Sequence, residues 1–205
     1  MTTDTPIGER TVTALLEAIA ARQPTPGGGA VAAVTVSLAS ALGEMVLRYR
    51  PGGTGADESL HREVLETMGR LRSSALALAD ADARAFEKLS ALWKLGPDDP
   101  ERLAEWPHAV AGAIDAPQRV LATGLEVLEA LDRVRESVGN NLRSDLAIAA
   151  LLARSGAEAA AWNVRVNLPH LGDKDRVTGL EQETARSIER AVALCDAIEQ
   201  TCRRA

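Results

Sequence analysis

The sequence predicts an all-α protein, a multi-helical antiparallel bundle of about seven or eight helices. Apolar residues make up 46% of the 205 residues but aromatic residues only 2%, which favours a core of closely packed Ala, Leu and Val on helices. Apolar positions recur at spacings of three and four, and no segment sustains the alternation of a β-strand. A chain of this length suits a single domain over residues 1–205, with no need of disulfides for stability.

Proline- and glycine-rich segments divide the predicted helices. They interrupt the helical pattern at 23–29, 50–56 and 169–172, and a polar connection with one short helix is expected at 98–107. Pro117 is expected in the first turn of the next helix, where proline is well tolerated, and a break is expected near Gly156. The predicted helices cover residues 11–22, 30–49, 57–95, 115–138, 144–168 and 174–203.

Charge and composition argue against several classes of protein. The net charge of −6 and the lack of a Lys/Arg run make nucleic acid an unexpected partner. Residues 30–47 are apolar, but their many small residues and Glu44 indicate a buried core helix, so no membrane span is expected. The three histidines are scattered without ligand spacing, so no metal is predicted.

Two features favour a cytoplasmic location. Cys195 and Cys202 lie seven residues apart on one predicted helix, about 10 Å along its axis, which is too far for a disulfide bond. Residues 1–10 also lack the basic and apolar regions of a signal peptide. Both observations fit a protein of the reducing cytoplasm.

Two carboxylates at the centre of the longest predicted helix must lie in different environments. At about 100° per residue, Asp80 and Asp82 point roughly 160° apart. Asp82 falls within the apolar face of the helix, whereas Asp80 lies opposite and is expected to pair with Arg84 on the surface. Burial should raise the pKa of Asp82 and make it a candidate general acid. A purely structural bond to a neighbouring backbone group is an equal alternative.

A glycine-rich turn precedes the second predicted helix. Gly27, Gly28 and Gly29 expose backbone N–H groups beside the unpaired amides of that helix, so the junction could hold a carboxylate or phosphate. The alternative is a connection that lets two helix backbones approach closely, and spacing alone favours that alternative.

Four polar residues near the predicted fifth long helix are further candidates for ligand binding. Arg143 and Asp145 lie at its start, where arginine could grip an anionic group and aspartate could complement the helix dipole. Asn163 and Asn167 lie one turn apart among Ala and Val, and could bond an amide-bearing ring or a neighbouring helix.

Taken together, these motifs resemble a known enzyme family. PTPGGGAVAA (24–33), DADARAF (80–86), GNNLRSDLAIAA (139–150) and WNVRVNL (162–168) are similar, in order and spacing, to the motifs of the formiminotetrahydrofolate cyclodeaminase and methenyltetrahydrofolate cyclohydrolase family. The resemblance covers essentially the whole chain. It implies an all-helical subunit that forms a homodimer, has no prosthetic group or metal, and uses a tetrahydrofolate derivative as substrate.

The resemblance also implies an activity and roles for particular residues. By resemblance, the reaction either closes 5-formiminotetrahydrofolate to 5,10-methenyltetrahydrofolate with loss of ammonia or hydrolyses the methenyl compound. We expect ring closure with Asp82 as proton donor, because a carboxyl group that stays protonated suits donation to the leaving ammonia. Gly27, Gly28 and Gly29 would form a substrate-binding turn. Arg143, Asp145, Asn163 and Asn167 would line the pterin or glutamate side of the cleft.

Alternatives to this activity follow from the same comparison. One is hydrolysis of the methenyl compound, another is action on a non-folate amidine or imine in specialised metabolism, and a third is a non-catalytic helical binding protein. Two departures from the family pattern bear on the substrate. Ala30 replaces the serine that usually follows the three glycines, and residues 48–55 differ from the usual glycine, basic and aromatic residues.

Overall fold

A computed structural model describes residues 5–49 and 56–204, apart from the side chains of residues 56 and 57. The described residues form helices and turns and contain no strand. They comprise short 3₁₀ turns and six α-helices: α1 (Val12–Ala20), α2 (Gly28–Arg48), α3 (Ala56–Trp93), α4 (Pro100–Val134), α5 (Arg143–Asn167) and α6 (Lys174–Arg203). The all-α prediction is confirmed.

Helices α2 to α5 form a four-helix core. Each packs against two neighbours, in the cyclic order α2, α3, α4, α5, and α6 lies against α4 and α5. Within the described residues, α2 is the one helix long and apolar enough to cross a bilayer, but most of its apolar stretch is buried inside the bundle. Alanines and valines supply much of the α2 core surface, as the low aromatic content predicts.

Close contact between α2 and α5 depends on a glycine in α5. A Cβ atom added to Gly156 of α5 would lie 2.6 Å from Val36 Cγ2 and 3.1 Å from the carbonyl oxygen of Ala32, both on α2. Val36 is fully buried at this crossing. Gly156 therefore lets two helix backbones approach, and α5 continues through it without the predicted break.

A buried carboxylate joins α2 to α3. The Glu44 side chain is only 3% exposed and accepts bonds from Arg48 Nη2 at 2.7 Å and Arg72 Nε at 2.6 Å. Both carboxylate oxygens are therefore paired with a cation, which offsets the cost of burying the charge. Cys195 and Cys202 are both free in α6, as predicted.

Helix α4 differs from the prediction. It begins at Pro100, is capped by the side chain of Asp99, and continues through both Pro107 and Pro117 to Val134. Proline inside a helix costs about 3 kcal/mol, but a long row of buried apolar side chains on α4 offsets this by packing on its neighbours. Residues 100–107 of the predicted connection are therefore helical, and Pro117 is not in a first turn. The described chain has six α-helices rather than seven or eight.

The close approach of α2 and α5 gives a prediction on stability. We expect Gly156→Ala to lower the free energy of unfolding by about 1–3 kcal/mol, because the added methyl group overpacks the crossing. Gly179→Ala is the matched control, because Gly179 is exposed in α6 and its added Cβ would meet nothing within 4 Å. This control should gain up to about 1 kcal/mol from helix propensity. Urea unfolding measures the free energy of unfolding of both variants. Equal changes in the two variants would contradict the packing argument.

Candidate active site

One open pocket gathers most of the predicted site residues. It has a volume of about 220 Å³ and lies where α2 begins, beside the C-terminal halves of α3 and α5. Six of the eight predicted residues line it, namely Gly27, Gly28, Gly29, Asp82, Asn163 and Asn167. The other lining residues are Pro24, Thr25, Phe86, Ala113 and Val166.

Asp82 lies against the first turn of α2. A Cβ atom on Gly29 would overlap the Asp82 carboxyl group, so the residue opposite Asp82 must be glycine. The backbone N–H of Ala30 donates a hydrogen bond to that carboxyl group. The serine that the family usually has here would contribute the same N–H, so Ala30 keeps the contact with Asp82.

The environment of Asp82 perturbs its ionisation. Burial raises the pKa of the carboxyl group, and the bond from Ala30 opposes that shift without cancelling it. The direction agrees with the prediction made from the apolar face of α3, where Ala75, Leu78 and Leu89 are buried. A carboxyl group that stays protonated more readily than usual, in an open pocket, is suited to donate a proton.

Asp80 lies outside the pocket, in a different environment from Asp82. Its Oδ1 accepts a hydrogen bond of 2.9 Å from the backbone N–H of Ile7, so it anchors the segment before α1. The predicted surface pair with Arg84 is wrong, because no ion pair joins these two described residues. The predicted difference between the two aspartates nevertheless holds.

The two asparagines on α5 are held by backbone carbonyl groups. Asn163 Nδ2 donates to Ala159 O at 3.0 Å, and Asn167 Nδ2 donates to both Asn163 O and Ala113 O at 2.9 Å. Because carbonyl oxygens only accept hydrogen bonds, the amide nitrogens must face them. Gly28 lies beside Asn163, so a Cβ there would be 3.7 Å from Asn163 Oδ1.

A row of aromatic residues in contact with one another extends outward from one wall of the pocket. Phe86 lines it one helical turn from Asp82, and its ring centroid lies 6.2 Å from that of Trp93. Trp93 in turn contacts Trp106 and His170 edge to face. The helical spacing could have predicted that Phe86 and Trp93 share a face of α3 with Asp82. The positions of Trp106 and His170 depend on how α4 and α5 pack.

The pocket entrance is also fixed by a contact that the sequence did not predict. Thr25 Oγ1, in the turn before α2, donates to Glu87 Oε1 on α3 at 2.8 Å. This bond connects the glycine-rich turn to the helix that carries Asp82. No local pattern in the sequence relates Thr25 to Glu87, which lie 62 residues apart.

Arg143 and Asp145 are not brought to this pocket within the subunit. They lie in the first turn of α5, about 30 Å along the axis from Asn163, because α5 continues without a break. Arg143 Nη1 donates to Thr201 O of α6 at 3.3 Å, while its buried Nε has no partner. The structure therefore does not bring Arg143 and Asp145, within one subunit, to the cleft that the family resemblance expects them to line.

The remaining features predicted near the site can be placed only in part. Arg48 pairs with Glu44, and Tyr49 is exposed at the end of α2, whereas residues 50–55 lie outside the described residues. Within the described ranges, no group of three or more His, Cys, Asp and Glu side chains could hold a metal ion. The pocket thus offers one perturbed carboxyl group, helix-terminal amides and two oriented asparagines.

An all-α bundle with a half-buried acid beside fixed amide groups has the parts of a site for acid–base chemistry. Residues 11–186 match the profile of the formiminotransferase-cyclodeaminase family, and the chain belongs to that family. It is 29% identical to a methenyltetrahydrofolate cyclohydrolase of Methylorubrum extorquens over 94% of each chain.

Other relatives extend the comparison to animal proteins and to a solved structure. The chain is 28% identical to the formimidoyltransferase-cyclodeaminase of Gallus gallus, over 87% of this chain but only 34% of that protein. The crystal structure of formiminotetrahydrofolate cyclodeaminase from Thermotoga maritima superposes with a TM-score of 0.78 at 26% identity, covering 97% of this chain and 96% of that one.

The raised pKa of Asp82 gives a prediction on stability. The native protein holds a proton on Asp82 at pH values where the unfolded chain has lost it, so this residue lowers stability as pH rises. Asp82→Asn removes the titration but keeps an acceptor for the Ala30 N–H. We therefore expect the variant to be more stable than the wild type at neutral pH, with the difference closing as pH falls through the Asp82 pKa. Urea unfolding across that pH range measures the difference in the free energy of unfolding. A difference that widens as pH falls would contradict the raised pKa of Asp82.

Proposed function

We propose that the chain is a folate one-carbon enzyme that closes 5-formiminotetrahydrofolate to 5,10-methenyltetrahydrofolate and releases ammonia. The observation that carries the proposal is the raised pKa of Asp82 in a pocket formed by the family's glycine, aspartate and asparagine motifs. Family membership and the named activities of the relatives support the substrate class.

The proposed reaction makes one bond and breaks another at a single carbon. N10 of the folate attacks the formimino carbon on N5, and the N10 proton passes to the formimino nitrogen, which gives a tetrahedral carbon with three nitrogen substituents. Protonated Asp82 then gives its proton to the departing nitrogen, and the C–N bond breaks to release ammonia and the methenyl cation. Because N10 and the electrophilic carbon belong to one molecule, positioning needs little from the protein.

The pocket has room for only part of a folate. At about 220 Å³ it is smaller than the roughly 300 Å³ or more of typical ligand sites. We place the pterin ring in the pocket, where oriented amides can recognise its N–H and carbonyl groups. The aminobenzoyl part then lies outside, along Phe86 and Trp93, which are 36% and 40% exposed.

Hydrolysis of the methenyl compound is the second candidate activity. The observation that favours it is the cyclohydrolase relative, which matches this chain over 94% of the length of both proteins. In that reaction, an ionised Asp82 would take a proton from the attacking water. Burial shifts Asp82 toward its protonated form, which suits donation to ammonia better than abstraction from water.

Supplying the two substrates separately tests the proposal. Ammonia release reports on 5-formiminotetrahydrofolate, and loss of the methenyl chromophore reports on hydrolysis. We expect kcat/KM to be higher for ring closure. Faster hydrolysis would make the chain a cyclohydrolase, and no turnover of either substrate by the folded protein would refute a folate activity.

Substitution of the two aspartates tests the proton donor. We expect Asp82→Asn to lower kcat by about 100-fold or more, the usual contribution of a general acid. Asp80→Asn is the matched control on the same helix, because asparagine can still accept the bond from Ile7 N–H. It should keep kcat within about threefold. Equal losses in two folded variants would contradict the role of Asp82.

We further propose that the chain forms a homodimer through α1, α2 and α5. Large apolar side chains are exposed on each of these helices, and a subunit interface would bury them. The set comprises Val12, Leu16, Ile19, Val31, Leu38, Ile148, Leu151, Trp162 and Val166. A two-fold axis across the middle of α5 would set Arg143 and Asp145 of the partner subunit beside this pocket, where the family resemblance expects them.

Mixed dimers test this arrangement. Asp82→Asn and Arg143→Ala should each be inactive alone, but co-expressed chains should recover activity, because one site of each mixed dimer then has both residues intact. Light scattering of the purified wild type should give the mass of two chains. A monomeric active enzyme, or mixed dimers without recovered activity, would contradict this part of the proposal.

A further inference from the structure

The two prolines inside α4 leave two backbone carbonyl groups without their helical partners. Proline has no N–H, so residue 107 cannot bond the carbonyl of Leu103, and residue 117 cannot bond the carbonyl of Ala113. The two sites differ in solvent access. Leu103 is 63% exposed, whereas Ala113 is 6% exposed and lines the pocket. Water can satisfy the first carbonyl, but the second needs a donor from the protein.

Asn167 is the donor for the Ala113 carbonyl. Its Nδ2 lies 2.9 Å from Ala113 O and 2.9 Å from Asn163 O, so both amide hydrogens are used on backbone carbonyl groups. The amide cannot turn over, because its oxygen would then face two acceptors. The Asn167 oxygen is thus left as a hydrogen-bond acceptor at the pocket wall.

We propose that Pro117 is a positioning residue, which frees the Ala113 carbonyl to hold Asn167 as a fixed hydrogen-bond acceptor for an N–H group of the ligand. The ligand named here rests on the proposed function, in which the pterin ring carries such groups on its amide and amino edge. The orientation of Asn167 by Pro117 does not depend on that ligand. It follows from the missing N–H and the two carbonyl contacts.

Pro107 supplies an internal control. It lies in the same helix and also frees a carbonyl, but no described side chain donates to Leu103 O, and Pro107 is exposed away from the pocket residues. Replacing either proline by alanine restores an N–H and straightens α4 locally. Only Pro117→Ala should move the carbonyl oxygen of Ala113 into a helical hydrogen bond with residue 117 and away from Asn167.

Binding and kinetics of these variants provide the first test. The probe is 5-formyltetrahydrofolate, titrated into wild type, Pro117→Ala, Pro107→Ala and Asn167→Ala. We expect Pro117→Ala and Asn167→Ala each to raise Kd and KM about tenfold, the usual effect of one hydrogen bond. In Pro117→Ala, kcat should change less than KM, because Asp82 is untouched. Pro107→Ala should bind and react as the wild type does.

A double variant separates positioning from general damage. If Pro117 acts through Asn167, then Pro117→Ala should cause no further loss of affinity in the Asn167→Ala background. Both proline variants should unfold at a urea concentration at least as high as the wild type. Additive losses in the double variant, or unchanged binding in Pro117→Ala, would overturn the proposal.

Side-chain amide NMR tests the positioning without any ligand. Both Asn167 amide protons should exchange slowly with solvent in the wild type and in Pro107→Ala, and faster in Pro117→Ala. If this holds but the wild type neither binds 5-formyltetrahydrofolate nor turns over a folate, the proposed function fails and the positioning stands. If folates are turned over but exchange is fast in all three proteins, the positioning fails and the function stands.

Discussion

The contact between the Asp82 carboxyl group and the first turn of α2 is the constraint on which the rest of the site depends. Gly29 has no Cβ, so the carboxyl group can reach the backbone, and the Ala30 N–H donates to it. A helix N-terminus favours the ionised carboxylate, while burial favours the neutral acid. Burial prevails, because the pKa is raised. The site therefore holds its acid in place by a bond that does not force it to ionise.

The bundle maintains this contact through small residues and backbone bonds. Gly156 lets α2 approach α5, which carries the two asparagines, and the bond from Thr25 to Glu87 joins the turn before α2 to α3. Pro117 in α4 then orients Asn167 through a freed carbonyl. Each element of the pocket is thus fixed by contacts within a rigid core, which suits a site whose chemistry depends on the placement of one proton.

Much of the fold and part of the site followed from the sequence. Helical periodicity placed Asp82 and Asp80 on different faces, and it located Asn163 and Asn167 on one side of α5. Sequence-based prediction failed at Pro107 and Pro117. Local propensity predicts a break in the helix there, but packing on neighbouring helices keeps α4 continuous. The distance of Arg143 from the pocket was missed because a break in α5 was expected near Gly156. The Thr25 contact was not predictable, because it depends on tertiary packing.

Titration of the Asp82 carboxyl group itself tests the central claim most directly. The ¹³C resonance of this carboxyl, assigned by its disappearance in Asp82→Asn, can be followed in the native wild type as pH changes. Our account predicts a midpoint above the ordinary aspartate value, because burial outweighs the bond from Ala30. A midpoint at or below the ordinary value would contradict it, since Asp82 would then be a helix-capping carboxylate with no proton to donate.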